Sequence, residues 1–346
     1  MAEQRYWHDI EDLQGQWVGL GVTVERPAAV RPPLHLLTGH NGRIKLMLHD
    51  TPLFWATVAQ GYCGAWLVRN PMPAQLEFLP IPPIDSAQVE RHAPLAPQQR
   101  IKAWSRFFVA QLSEHCADFL YPGRWLAQGM LPNPDSARAV AQRGLAAWSF
   151  HSGSGSHSHL PAWSLYGEDI LDNLQPETVQ WIDWWQGGGK LVGLHPVDPL
   201  AGRLKWWRKK AREGSLPPIL LWHVGGLASY VIIDGHYRLQ AALAENLPPT
   251  FIVLSATRIQ AINPCPENQQ RVLDSLMMQS ARNPNFDVDT LNRALINTFD
   301  NRPYYGASTH SWAGIESDQA WVDEVTRHLH EHEATEHLQA IIERRD

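Results

Sequence analysis

The spacing of apolar residues changes along the chain and predicts strands first and helices later. Short apolar or alternating runs, separated by turn-forming residues, predict a β-rich region over residues 1–95. The predicted strands are 17–24, 44–48, 54–58, 65–68 and 76–81. Residues 96–186 follow as a predicted helical region, because apolar residues there recur at three- and four-residue spacing. Its predicted helices are 97–121, 136–150 and 176–186, with a Ser/Gly/His linker near 151–159.

The third region, residues 187–258, combines both patterns. Runs at 191–194, 216–224, 230–234 and 250–254 predict strands, and a basic helix is expected at 204–213. Gly225-Gly226 lies between two of these runs and predicts that they pair as a hairpin. Residues 259–346 form a predicted helical C-terminal region with helices at 267–282, 289–299 and 318–344. The expected fold class is therefore α+β.

Residues suited to ligand binding are concentrated in the stretch Asp234-Gly235-His236-Tyr237-Arg238. A strand is predicted to turn directly into a helix there. We expect Asp234 to cap this helix and Gly235 to allow the turn or the close approach of a ligand. The unpaired N–H groups of a helix start favour an anion, and a guanidinium such as that of Arg238 can bind phosphate oxygens. These residues predict a phosphate site, whereas an ordinary strand-to-helix turn is the alternative.

The order of a helix ending in glycine, "PPILLW", "YVIIDGHYRLQAA" and "LPPTFIVL" resembles the ParB/sulfiredoxin-like domain superfamily over about residues 191–255. The Gly-x-x-Arg element of that superfamily corresponds here to Gly235-His236-Tyr237-Arg238. Sulfiredoxins carry a reactive cysteine directly after the glycine, and His236 occupies that position. Partition proteins continue into a basic helix-turn-helix, and the sequence after Ser255 has no clear equivalent. The resemblance therefore favours neither sulfiredoxin chemistry nor DNA segregation.

The resemblance implies binding of a nucleotide, CTP, ATP or ADP with Mg²⁺, and NTP hydrolysis or phosphotransfer as its activity. Gly235, His236 and Arg238 would hold the phosphates, with Arg203 as a second phosphate contact and Asp198 as a carboxylate near it. Asp234 would bind Mg²⁺ or orient a nucleophile, and His236 would act as an acid, a base or a hydrogen-bond donor.

The net charge and amino-acid composition help to rank the alternative functions. The formal net charge of −6 disfavours DNA as a partner, so ParB-like DNA binding or nuclease activity is the weakest alternative. The stronger alternative is a non-catalytic interaction protein, an immunity or accessory factor, whose Trp-rich flanking regions bind a protein. No metal site is predicted, since the histidine-rich segments are better explained as a linker and a solvated helix face. Three scattered cysteines and the lack of a predicted apolar leader or spanning segment predict a cytoplasmic protein without membrane contact.

Overall fold

The computed structural model describes residues 4–12, 14–26, 29–70, 80–133, 148–152, 159–171, 177–184, 190–261, 265–282, 287–300 and 302–346. The fold is mixed α/β, with a strand-rich N-terminal region and helices in the C-terminal part. The strands are Gln4–Glu11 (β1), Trp17–Glu25 (β2), Leu34–Thr38 (β3), Arg43–Leu48 (β4), Thr51–Val58 (β5), Gly64–Arg69 (β6), Gly123–Pro132 (β7), Ser149–Ser152 (β8), Ser164–Tyr166 (β9), Val179–Asp183 (β10), Lys190–Val192 (β11), Ile219–Val224 (β12), Ser229–Asp234 (β13), Phe251–Gln260 (β14), Tyr304–Ser308 (β15) and Trp312–Ala313 (β16). The helices are Ser86–His92 (α1), Pro97–His115 (α2), Gly167–Leu171 (α3), Gly202–Arg212 (α4), His236–Ala244 (α5), Pro266–Arg282 (α6), Val288–Phe299 (α7), Asp318–Glu331 (α8) and Leu338–Glu343 (α9).

Two sheets organise the described residues. The larger sheet has the order β1-β2-β7-β14-β12-β13-β11, with β15 beside β14, β8 beside β7 and β9 beside β8. The smaller sheet has the order β10-β6-β5-β4-β3-β16. The larger sheet takes strands from all four regions that the sequence predicts, so hydrogen bonding is continuous across the boundaries expected near residues 95, 186 and 258.

The main core lies between these layers. It joins side chains of both sheets with the apolar face of α2, where Trp104 and Phe108 are fully buried. A separate cluster packs α8 and α9 against the smaller sheet through Trp55, Trp321 and Ile341. Nine of the described tryptophans are buried in these and neighbouring clusters, and only Trp7 is exposed among the described ones. The high tryptophan content therefore serves mainly to fill the core.

Several predicted elements differ from the observed ones. The helix expected at 176–186 is wrong, because Val179–Asp183 forms strand β10 and pairs antiparallel with β6. Its β-branched and aromatic residues favour a strand once a partner edge is present. The helix expected at 136–150 lies mostly outside the described residues, and its end belongs to β8. Likewise, most of the 151–159 linker and the strand expected at 76–81 lie outside them.

The predicted C-terminal helix at 318–344 is two helices, α8 and α9, separated by residues 332–337. His328 Nε2 lies 2.9 Å from the carbonyl oxygen of Arg69, and His332 Nδ1 lies 2.9 Å from that of His328. The described residues contain no group of three or more His, Cys, Asp or Glu side chains that could hold a metal ion.

Candidate site at the start of helix α5

The predicted site lies where two neighbouring parallel strands end. β11 and β13 pair in parallel, so their carboxyl ends meet at the same edge of the larger sheet. β13 leads through Gly235 directly into α5, whereas β11 leads through residues 193–201 into α4. Crevices at the carboxyl ends of parallel strands are the usual ligand positions in α/β sheets.

Gly235 is required here for two reasons. Its φ of 114° belongs to the left-handed region that side chains disfavour. A Cβ atom at this position would lie 2.9 Å from Nη2 of Arg238 and 3.2 Å from Cγ2 of Ile219. The glycine thus provides the space that the Arg238 guanidinium occupies. Gly235, and not Asp234, is the N-cap residue of α5, and no side chain caps this helix.

Arg238 is bonded inside the protein. Its side chain is 1% exposed, and Nη2 donates to the carbonyl oxygen of Pro218 at 2.9 Å and to Oδ2 of Asp234 at 2.5 Å. The guanidinium carbon lies 5.5 Å from the ring centre of Trp207 and 5.9 Å from that of Phe108. These contacts tie the start of β12 to the junction of β13 and α5. Nε of Arg238 is buried and has no hydrogen-bond partner among the described residues.

His236 holds the loop that follows β11. Its Nε2 accepts a hydrogen bond of 2.9 Å from the main-chain N–H of Leu194, and its ring centre lies 3.8 Å from that of His195. Burial, followed by the charges of His195 and Arg238, lowers the pKa of His236 well below its usual value. The imidazole is therefore neutral at neutral pH and is already an acceptor. In this arrangement it has no proton on Nε2 to give to a substrate.

The loop after β11 supplies the other predicted residues. Asp198 is exposed, and its Oδ1 accepts a hydrogen bond of 2.9 Å from the main-chain N–H of Leu200. Arg203 is exposed in the first turn of α4, a helix that also has no side-chain cap at its start. Four basic residues of α4 share two carboxylates: Arg208 and Arg212 both bond Glu245, and Lys209 and Lys210 both bond Glu213. Arg203, by contrast, makes no ion pair within the described part of the chain.

The arrangement combines two helix starts without side-chain caps, one exposed cation and one partly exposed carboxylate. The first-turn N–H groups of α4 and α5 are suited to oxyanions, and the dipoles of both helices favour negative charge there. The carboxylate of Asp234 is 18% exposed. One carboxylate together with phosphate oxygens is a common way of holding Mg²⁺.

The sequence singled out segments that meet at this edge of the sheet but missed the contacts between them. Leu194, His195 and Pro218 were not expected to touch the Gly-x-x-Arg element. The His-Pro pair directly after β11 was the available signal, because it marks where the chain leaves the sheet beside β13. A scan of protein-family models and searches of curated proteins and of solved structures found no match to this chain.

Proposed function

We propose that this protein binds the phosphate groups of a nucleotide, CTP, ATP or ADP with Mg²⁺, at the edge where β11 and β13 end. The observation that carries the proposal is the uncapped start of α5 at this edge. A hydrogen bond from the main-chain N–H of Leu194 to His236 joins it to the loop that leads into α4, whose start also has no side-chain cap. The resemblance to the ParB/sulfiredoxin-like superfamily supports the same position, because its Gly-x-x-Arg element falls on the start of α5.

The residues take different roles in the proposed complex. Main-chain N–H groups at the start of α5 and the guanidinium of Arg203 contact phosphate oxygens, and Asp234 contributes to Mg²⁺. Arg238 braces the turn from inside the protein, where its buried guanidinium bonds Pro218 and Asp234. Hydrolysis or phosphotransfer would require Asp234 to exchange its bond with Arg238 for a water or an acceptor. Binding without turnover is therefore the activity that this arrangement supports best.

Calorimetric titration with each nucleotide and Mg²⁺ tests the proposal. Arg203→Gln should weaken binding about tenfold, since a charge-assisted hydrogen bond contributes about 1.5 kcal/mol or more. Arg327→Gln is the matched control, because Arg327 is exposed on α8 and has no ion pair with any described residue. Absence of binding to the wild-type protein at millimolar nucleotide would contradict the proposal. Arg238 is a poor test position, since its replacement leaves Asp234 and Pro218 without a partner.

A second candidate, a non-catalytic interaction protein, is favoured by helices α6 and α7. No residue of α6 is buried, and the two helices expose apolar side chains to solvent. The exposed ones are Val272, Met277, Met278, Val288, Ile296 and Phe299. Large apolar side chains that stay exposed on two neighbouring helices favour a protein interface there. Affinity purification that recovers the same protein partner with wild-type and Arg203→Gln chains, but not with Met277→Glu, would support this candidate.

A further inference from the structure

A groove lies on one face of the larger sheet, where β1, β2, β7, β14 and β15 run side by side, each antiparallel to its neighbour. The register places residues of neighbouring strands directly opposite each other in rows. One row is His8, Gly21 and Leu126, and the next is Thr23, Arg124 and Thr257. Both rows line a groove of about 240 Å³.

These side chains share one face of the sheet. Directly opposite residues of an antiparallel pair point the same way, and so do residues two apart on one strand. The intervening residues Val22, Trp125 and Ala256 belong to the main core. The two rows therefore lie on the face that is turned away from that core. Ile259 and Tyr305, opposite each other on β14 and β15, continue this face as a third row of the groove.

Gly21 opens the floor of the groove. A Cβ atom at this position would clash with the imidazole of His8, so that ring lies directly over the bare backbone of β2. Gly21 is not among the glycines with a positive φ, and it is needed here for space and not for its backbone conformation. His8 is exposed, and no hydrogen bond joins its ring to another described residue. The face and the nitrogens of this imidazole are thus accessible to a ligand.

The groove has one positive charge and no negative charge among its described residues. Arg124 is exposed and forms no ion pair with any residue that the structure describes. Asp9, the neighbour of His8 on β1, points to the other face of the sheet and bonds Lys102 and Arg106 of α2. A guanidinium without a counter-charge is suited to two parallel hydrogen bonds with a carboxylate.

The rest of the lining favours a flat ring. His8 and Tyr305 contribute aromatic rings, Ile259 an apolar side chain, and Thr23 and Thr257 hydroxyl groups. Aromatic rings pack against one another in offset-stacked or edge-to-face arrangements. The volume of the groove is just below the roughly 300 Å³ at which sites for drug-sized ligands begin. A single ring with one acidic group fits both this size and this charge.

We propose that the groove binds a small aromatic carboxylate, with its carboxylate on Arg124 and its ring against His8 above Gly21. The groove shares no residue with the start of α5, so this proposal stands independently of the nucleotide proposal.

The test follows the main-chain amide of Gly21 in the full chain. Leu20-Gly21 is the only Leu-Gly pair in the sequence, so labelling leucine carbonyl carbons with ¹³C and glycine nitrogens with ¹⁵N isolates this signal. Benzoate is titrated in one arm and inorganic phosphate in the other. Benzoate should shift the signal saturably, with an apparent Kd in the millimolar range, because an aromatic ring held above β2 changes the magnetic environment of that amide.

The variants separate the two contacts. Arg124→Gln should raise the benzoate Kd about tenfold, since a charge-assisted hydrogen bond contributes about 1.5 kcal/mol or more. His8→Ala should raise it about threefold, as expected for the loss of one ring contact. Arg327→Gln is the matched control and should leave the Kd unchanged. Arg124 and Arg327 are both exposed, so neither arginine variant should change the melting temperature.

Three results would overturn the proposal. A Gly21 signal that does not move at tens of millimolar benzoate would show that the groove has no affinity for an aromatic carboxylate. An unchanged benzoate Kd in Arg124→Gln would show that this guanidinium does not hold the ligand. Phosphate that binds as tightly as benzoate, with the same dependence on Arg124, would show that the groove takes oxyanions without a ring.

Discussion

At the scale of single residues, Gly235 and Arg238 act as one structural unit, because the guanidinium fills the space that a side chain at position 235 would need. The pair explains why a glycine precedes an arginine by three positions here even before any ligand is considered. The sequence predicted both residues as phosphate contacts, whereas the Arg238 guanidinium is buried and bonds groups of the protein itself. It could not show that the Arg238 side chain points into the protein, since that depends on Pro218, Trp207 and Phe108 from distant segments.

Gly235→Ala should lower the free energy of unfolding by about 1–3 kcal/mol. The alanine would be held at a left-handed φ, and its Cβ would displace the Arg238 guanidinium. Urea denaturation measures the effect. Gly202→Ala is the control, because a Cβ at position 202 meets no atom within 4 Å. Equal stabilities of the two variants would contradict the Gly235–Arg238 unit.

The buried imidazole of His236 should make stability depend on pH. Its folded-state pKa lies well below the unfolded value of about 6.5, so the unfolded chain binds the proton first. This contribution is complete above about pH 6.5 and is lost as the pH falls below it, at up to about 1.4 kcal/mol per pH unit. His236→Gln keeps an acceptor for the Leu194 N–H but does not titrate. Its free energy of unfolding should therefore fall less steeply than that of the wild type between pH 6.5 and 5, and parallel curves would refute this role.

At the scale of helices and strands, the sequence predicted the elements that pack or pair with segments close to them in the chain. The β12–β13 hairpin, with Gly225-Gly226 in its turn, is confirmed. The α5 helix after Gly235 is also confirmed. Strand β10 was mistaken for a helix because its partner β6 lies more than a hundred residues away. The spacing of apolar residues within one segment does not show which distant strand that segment will pair with.

Arg43 attaches the C-terminal helices to the smaller sheet. Its side chain is 2% exposed and donates to Asp318 on α8 at 2.8 Å and to the carbonyl oxygens of Ile341 and Ile342 at 3.0 and 2.9 Å. Arg43→Ala should cost about 1–3 kcal/mol, since it leaves the carbonyl oxygens without their donor, whereas the ion pair with Asp318, whose side chain is 38% exposed, is screened by solvent and adds little. Thermal denaturation measures the loss. Arg327→Ala on the exposed face of α8 should change stability by less than about 0.5 kcal/mol, and similar losses in both variants would contradict this anchor.

Helices α6 and α7 should open more readily than the central strands of the larger sheet. They lie between β14 and β15, and no residue of α6 is buried, whereas much of β14 is fully buried. Hydrogen exchange should therefore be faster for α6 amides than for those of β14 residues 251–256, because local opening there exposes little apolar surface. Equal protection of the two segments would show that another part of the protein covers α6.

At the scale of the whole molecule, the order of the strands in the larger sheet could not be predicted from the sequence. The larger sheet places β7, from the region predicted as helical, between β2 and β14. Such pairings between distant segments depend on which edges are free after the local elements form, and local patterns do not specify them.

None of the helices in the described residues has the length and apolar character needed to span a bilayer. The edge of the larger sheet at the start of α5 carries the proposed function.

The most direct test follows the main-chain amide of Gly235 during titration with a nucleotide and Mg²⁺. Asp234-Gly235 is the only Asp-Gly pair in the sequence, so labelling aspartate carbonyl carbons with ¹³C and glycine nitrogens with ¹⁵N isolates this one amide signal. If phosphate binds at the start of α5, that signal should shift saturably with CTP, ATP or ADP. The affinity obtained from the shift should fall in Arg203→Gln and stay unchanged in Arg327→Gln. A Gly235 signal that does not move at millimolar concentrations of all three nucleotides would contradict phosphate binding at the start of α5.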